Sequence, residues 1–329
     1  MNEHLQNILR LGEKVLEGGT LKEEEALQLA AVPYEDLPFL LAMADRIRQE
    51  FVGAEVDLCA IINGRSGKCS EDCRFCAQSA HYGAQVKVYP LLEKQELVAA
   101  ALQAKEAGAR RFSIVTSGRG TEKDKEFSLI LEALQAIKEK TGLKVCASLG
   151  TLTQEHALQL KQAGVSRYHH NLETGRSFYP RICSTHTYED RVVTIQHAMA
   201  AGLEVCAGGI IGLGESFAQR IELALTLRRL GVHSVPVNIL NPIPGTPLAG
   251  QPPLAPQEIL KTLAVFRFLL PERGIRTAGG REVNLRDLQG TALLGGVSGM
   301  LIGGYLTTGG REPQADLRMI ADLNRVVAP

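Results

Sequence analysis

Beyond residue 50 the chain alternates between two hydrophobic rhythms. Short apolar or β-branched runs recur at 56–62, 112–116, 144–149, 167–172, 204–213, 235–240, 274–278 and 300–305, eight in all. Amphipathic helical stretches lie between them. Ile130, Leu134 and Ile137 follow an i, i+4, i+7 spacing. Ile259, Leu263, Phe266 and Leu270 repeat that stripe with Pro256 near the helix start, and Leu285, Leu288 and Ala292 add another. Glycines punctuate the joints, as in Ala107-Gly108, Ala163-Gly164 and Ala201-Gly202. Alternating strand and helix predicts parallel strands with helical crossovers. Eight strands fit an α/β fold of the (β/α)8 TIM-type barrel class better than an open doubly wound sheet, which periodicity alone leaves open. Residues 1–50 read as an N-terminal helical extension, with a capping-box pattern at Thr20-Leu21-Lys22-Glu23, and residues 51–329 as the barrel. The Pro-rich stretch 242–256 reads as one long loop after the sixth strand.

Composition narrows the function classes. The 329 residues are 45% hydrophobic and 22% charged, enough apolar material for a large core. Lys plus Arg and Asp plus Glu both number 36, so net charge excludes a general nucleic-acid or membrane binder. The start Met1-Asn2-Glu3-His4 has no charged-then-apolar leader, and the run 202–214 is too short to span a bilayer. The expectation is a soluble, cytoplasmic protein.

Of seven cysteines, three fall in Lys68-Cys69-Ser70-Glu71-Asp72-Cys73-Arg74-Phe75-Cys76, a Cys-x3-Cys-x2-Cys spacing just after the first strand. In a reducing compartment such a cluster points to metal rather than disulfides. Barrel enzymes place chemistry at the C-terminal ends of their strands, where this loop lies. Three thiolates can hold three irons of a [4Fe–4S] cluster and leave the fourth open to a small molecule. A structural zinc site is the competing reading, and it needs a distant fourth ligand.

The triplet, with Phe75 before its last cysteine, is similar to the signature of the radical S-adenosylmethionine (SAM) superfamily. The resemblance extends to the biotin synthase family through Cys73-Arg74-Phe75-Cys76-Ala77-Gln78-Ser79, Tyr168-His169-His170-Asn171-Leu172-Glu173-Thr174 and Thr187-Tyr188-Glu189-Asp190-Arg191. It continues through the block 206–215, Val237-Asn238-Ile239-Leu240, Gly245-Thr246-Pro247-Leu248 and Ala278-Gly279-Gly280-Arg281-Glu282. It implies that the cluster on Cys69, Cys73 and Cys76 binds SAM, whose reductive cleavage gives a 5′-deoxyadenosyl radical. The reaction implied is sulfur insertion into dethiobiotin. Asn171 and Glu173 would contact the SAM ribose, Arg191 the SAM pocket and Ile210 the adenine. Asn171 and Asn238 would bind the substrate, since an amide offers the donors and acceptors a cyclic urea requires. The glycines of 208–214 do not fit a dinucleotide-binding spacing; adenine approach or barrel packing are their two readings. A homodimer reduced by flavodoxin or ferredoxin is also implied.

The family carries an auxiliary iron–sulfur cluster, usually [2Fe–2S], on three cysteines and one arginine. Cys146, Cys206 and Arg281 are read as three of these positions, and the fourth is Ser113. Cys183, just after the fourth strand, is the expected replacement. Cys146, Cys183 and Cys206 would then suit a four-iron cluster carrying an extra sulfide, with Arg281 as ligand or nearby cation. Cys59, mid-strand and outside the matching blocks, is expected to be a small buried hydrophobe. Two other readings stay open: a radical SAM mutase or cofactor-maturation enzyme with another substrate, and a non-catalytic iron–sulfur electron carrier.

Overall fold

A computed structural model describes residues 2–120 and 124–329. Its centre is a closed barrel of parallel strands. These are β1 (Glu55–Arg65), β2 (Arg111–Thr116), β3 (Lys144–Ser148), β4 (Arg167–His169), β5 (Glu204–Cys206), β6 (Gly209–Ile211), β7 (Ser234–Ile239), β8 (Gly274–Thr277) and β9 (Gly299–Leu301). β5 and β6 are two pieces of one barrel strand, since both pair with β7, so eight staves close through β1–β9. A short β10 (Val326–Val327) pairs with the first residues of β1. The open-sheet alternative is thereby excluded.

The break between β5 and β6 has a steric cause. A Cβ on Gly208 would lie 1.9 Å from the Pro236 carbonyl oxygen, and one on Gly209 2.3 Å from that of Glu173. Backbone approaches there too closely for any side chain. For Gly208 and Gly209 this supports the packing reading.

Helices α1 (Glu3–Leu16), α2 (Glu23–Ala30) and α3 (Leu37–Phe51) precede the barrel. Ile8, Leu11 and Val15 form the buried stripe of α1, at the spacing one helix face requires. This N-terminal group does not stand apart. It packs on the outer barrel helices α8 (Phe217–Leu230) and α9 (Pro256–Leu269) and shares their core. The expected capping box shifts by two residues: Lys22 is the N-cap of α2, and the Glu25 carboxylate accepts from its backbone N–H at 2.8 Å. The stripe of Leu285, Leu288 and Ala292 is not one helix, because Arg286 adopts φ 52° and splits it.

Strand parity sorts the barrel's two faces. On β1, Val56, Leu58 and Ala60 are buried against the helices, so Asp57, Cys59 and Asn63 face the barrel interior. At the floor the Asp57 carboxylate gathers three guanidinium groups, Arg276 at 2.7 Å, Arg111 at 3.2 Å and Arg167 at 3.6 Å. Glu204 takes a second contact from Arg167 at 2.8 Å. Burial opposes the Asp57 charge, but Arg276, Arg111 and Arg167 outweigh it and hold the carboxyl down at about 2.

A depressed carboxyl pKa contributes stability that is complete above the unfolded value and lost as pH falls through the folded one. Asp57→Asn is expected to destabilise the cluster-free protein by about 2 kcal/mol at pH 7. The difference should stay constant from about pH 5 to 8 and shrink below about pH 4, as urea unfolding would show. Equal stability at pH 7 would refute this account of the floor.

Candidate active site

The loop after β1 encloses the cysteine triplet at the barrel mouth. Cys69 pairs with the far side of the loop, its N–H donating to Gln78 O at 3.0 Å and its carbonyl accepting from Ala80 N at 2.8 Å. The Gln78 side-chain oxygen accepts from Gly67 N at 3.1 Å and from Asn63 at 3.3 Å, which ties the loop to the strand. Cys76 N–H donates to Cys73 O at 2.9 Å, a tight turn that brings the last two cysteines together. Cys69 and Cys73 are buried and Cys76 is half-buried. Burial pushes the Cys76 thiol up to about 11, with Cys69 and Glu173 adding to the effect. Phe75 packs half-buried against the core at the base of this turn.

A second segment, 183–186, docks on the triplet. Asp72 is the tether. Its carboxylate accepts from the backbone N–H of Ser184 at 2.8 Å and of Thr185 at 3.2 Å. Arg74 N–H donates to Ile182 O at 2.9 Å. These bonds place Cys183 Sγ 3.8 Å from Cys73 Sγ. The hydrogen bond between the two thiols lowers that of Cys183, with His186 and Thr185 acting the same way, and raises that of Cys73. Cys183 therefore stands at the mouth and not with Cys146 and Cys206, which corrects the expected ligand set.

Beside the triplet, Asn171, Glu173 and Arg191 form one polar group. Arg191 is buried and donates to Asn171 O at 2.9 Å, Glu173 Oε1 at 3.3 Å and Tyr179 Oη at 2.7 Å. Asn171 donates to Glu173 Oε2 at 3.3 Å and accepts from Gly208 N at 3.1 Å. Glu173 sits at φ 69°, a left-handed conformation that costs a non-glycine residue about 1 kcal/mol or more. Its neighbours compensate: its N–H donates to Gly208 O at 3.2 Å, and its carbonyl accepts from Ile210 N at 2.7 Å. Asn238 spans two strands, donating to Gly209 O at 3.2 Å and accepting from Gly279 N at 3.0 Å. Each of those amide atoms keeps one further hydrogen-bonding position.

Deeper in the barrel three other thiols converge. Cys59 on β1 shares the inward parity of Asp57, Cys146 on β3 is in register with Ser113, and Cys206 on β5 is in register with His169, so all three face the barrel interior. Burial pushes Cys59 up to about 11 and Cys146 upward as well. Cys206 differs. Burial opposes its thiolate, but a hydrogen bond from His169 and the charges of Arg276 and Arg167 bring it down to about 6. Arg276 on β8 lies against both Cys59 and Cys206. Ser113 pairs in register with Cys146, and its buried hydroxyl has no hydrogen-bond partner among the described residues. Three thiols, a guanidinium and an orphaned hydroxyl around one interior space fit an iron–sulfur cluster better than a hydrophobic core.

Two sequence expectations fail here for one reason. Arg281 begins the short helix after β8, and it is fully buried in an ion pair with Asp316 at 2.5 Å and a bond to Gln289. It lies past the strand, whereas Arg276 is in register with Pro236 and Gly299 and faces inward. Cys59 is likewise an inward position of β1. Strand parity, with Val56, Leu58 and Ala60 outward, was the signal that could have found it.

The chain matches the Radical SAM superfamily over residues 65–241 and the Biotin and Thiamin Synthesis associated domain over residues 236–325. A biotin synthase from Carboxydothermus hydrogenoformans is 51% identical over 317 residues, 96% of this chain and 98% of that protein. One from Desulforudis audaxviator is 55% identical over 317 residues, 96% of each. The chain belongs to the biotin synthase family. A biotin synthase of the radical SAM type requires SAM, a [4Fe–4S] cluster and an auxiliary cluster. In fold it also superposes on the crystal structure of methylornithine synthase with a TM-score of 0.84 at 22% identity, covering 97% of each chain.

Cys59→Ala is expected to remove the iron and sulfide of one cluster from anaerobically reconstituted protein, while Cys183→Ala retains both. Iron and sulfide analysis reads this directly. Loss in Cys183→Ala with full content in Cys59→Ala would restore the assignment made from sequence.

Proposed function

We propose that this enzyme inserts sulfur between two carbons of dethiobiotin to form biotin, with its functional groups ordered along the barrel axis. Cys69, Cys73 and Cys76 hold the [4Fe–4S] cluster at the mouth and leave one iron open to SAM. Cys59, Cys146, Cys206 and Arg276 hold the auxiliary cluster below. When bound, these groups supply the hydrogen-abstracting radical chemistry and the sulfur atom.

The protein's own residues position the reactants. Arg191 fixes Glu173 and Asn171, so both present set orientations to the ribose of SAM. Ile210, half-buried on β6 and bonded to the Glu173 carbonyl, offers an apolar surface to the adenine. Asn171 and Asn238 turn their remaining amide positions to the cyclic urea of dethiobiotin. Arg111, Arg167 and Arg276 offset the negative charge of the deeper thiolates. The apolar barrel wall keeps water from the reacting carbons.

The observation that carries this reading is the vertical order along single strands. β4 and its extension bear Arg167 at the floor, His169 beside Cys206, then Asn171 and Glu173 toward the mouth. β1 runs in the same order from Asp57 through Cys59 to the triplet loop. A substrate held by Asn171 and Asn238 lies between the two cluster sites. A flavodoxin or ferredoxin as reductant, a homodimer and a cytoplasmic location follow from the family resemblance. No helix among the described residues is long and apolar enough to cross a membrane.

Reconstituted enzyme given SAM, a strong reductant and dethiobiotin without oxygen is expected to form both 5′-deoxyadenosine and biotin, quantified by mass spectrometry. Deoxyadenosine without biotin would point to another substrate. Neither product from cluster-loaded protein would favour a non-catalytic iron–sulfur carrier.

A further inference from the structure

Cys183 and His186 are buried beside the mouth, yet neither cluster assignment uses them. With Cys73 they form a compact donor group, their ligand atoms all within 4.8 Å of one another. We propose that Cys73, Cys183 and His186 form a mononuclear three-ligand site for a divalent cation of zinc-like softness in the cluster-free protein, with a fourth position left to solvent.

The geometry is that of a small tetrahedral centre. Two thiolates about 2.3 Å from a tetrahedral zinc stand roughly 3.8 Å apart. Cys73 Sγ and Cys183 Sγ are 3.8 Å apart. His186 Nδ1 lies 3.2 Å from Cys183 Sγ and 2.5 Å from Glu71 Oε2. The Glu71 carboxylate lies outside this donor group and orients the His186 ring, leaving a Cys2His set whose fourth position water can fill. Two sequence segments contribute, Cys73 from the triplet loop and Cys183-Ser184-Thr185-His186, whose two ligands stand in a Cys-x2-His spacing.

The frame is built before any ion arrives. Asp72, next to Cys73, accepts from the backbone N–H groups of Ser184 and Thr185, which lie between Cys183 and His186. Thr185 Oγ1 donates to Glu71 Oε2 at 2.7 Å and fixes that carboxylate. Such an outer shell holds ligands in place and accounts for much of a site's affinity. The nitrogen and sulfur donors suit zinc or ferrous iron rather than magnesium or calcium.

Cys73 belongs to both sets. Resting on the assignment of Cys73 to the SAM-binding cluster, the site excludes that cluster and the cluster excludes the site. A zinc ion held here would block cluster assembly until removed.

The test uses the full chain, prepared cluster-free without oxygen and titrated with Co2+ as a coloured substitute for zinc. One equivalent should bind with thiolate-to-cobalt charge-transfer absorption and the visible bands of a tetrahedral ion. Cys183→Ser should weaken binding by about tenfold or more and reduce the thiolate absorption. His186→Ala should weaken it similarly while keeping that absorption. A Cys69→Ala/Cys76→Ala double variant should bind as wild type does. Zinc added first should slow cluster reconstitution in wild type more than in Cys183→Ser. Unchanged binding in both Cys183→Ser and His186→Ala, with loss in the double variant, would overturn the proposal by placing the ion on the triplet. No step needs dethiobiotin, so failure here is separable from failure of the sulfur-insertion reading.

Discussion

A single carboxylate at the bottom of the barrel sets the conditions for everything above it. Asp57 faces inward from β1 and draws in guanidinium groups from β2, β4 and β8. Without that anion, three buried cations from neighbouring staves would repel one another across a low-dielectric interior. With it, the barrel has a polar, closed floor. The same arginines then project positive potential upward and help bring the Cys206 thiol down to about 6, while burial holds those of Cys59 and Cys146 up. A barrel bottom usually packed with Val, Ile and Leu is here given to charge. That exchange forgoes apolar burial and gains an environment in which anionic sulfur is stable.

Strand geometry carries this chemistry to the mouth. Residues two apart on one strand share a face, so each stave presents a short series of inward groups at rising heights. β4 supplies a floor cation, a histidine at the deeper thiols, and then the Asn171–Glu173 pair near the triplet. The left-handed Glu173 ends that series. It turns the chain out of the strand toward Gly209, and the glycines at 208 and 209 allow the backbone contact. A local strain and a break in one stave are thus parts of one device that aims a carboxylate at the cofactor side of the barrel.

Much of this was legible in the sequence. Eight apolar runs located the staves to within a few residues, because parallel barrel strands are buried on both faces and read as continuous hydrophobic segments. The triplet was legible because a chelating loop is local: its ligands are neighbours in sequence. The deeper site was not. Its donors come one each from β1, β3, β5 and β8, and only register and parity show that they meet. Cys183 attracted the assignment by its nearness in sequence to the fourth strand, yet the Asp72 tether carries it to the mouth. Arg281 attracted it through a motif, while the inward-facing guanidinium five residues earlier belongs to the strand. The ion network of the floor left no sequence signal beyond a few charged residues inside apolar runs. Such residues are a sign of interior chemistry when they sit at one strand parity.

On the proposed reading, the lower half of the barrel holds a cluster independently of the mouth. Mössbauer spectroscopy of a Cys69→Ala/Cys73→Ala/Cys76→Ala variant, reconstituted anaerobically with iron-57 and sulfide, tests it most directly. The expected spectrum is that of one remaining iron–sulfur cluster, lost when Cys59→Ala is added. A folded triple variant with no cluster iron, or one whose cluster survives the loss of Cys59, would contradict it.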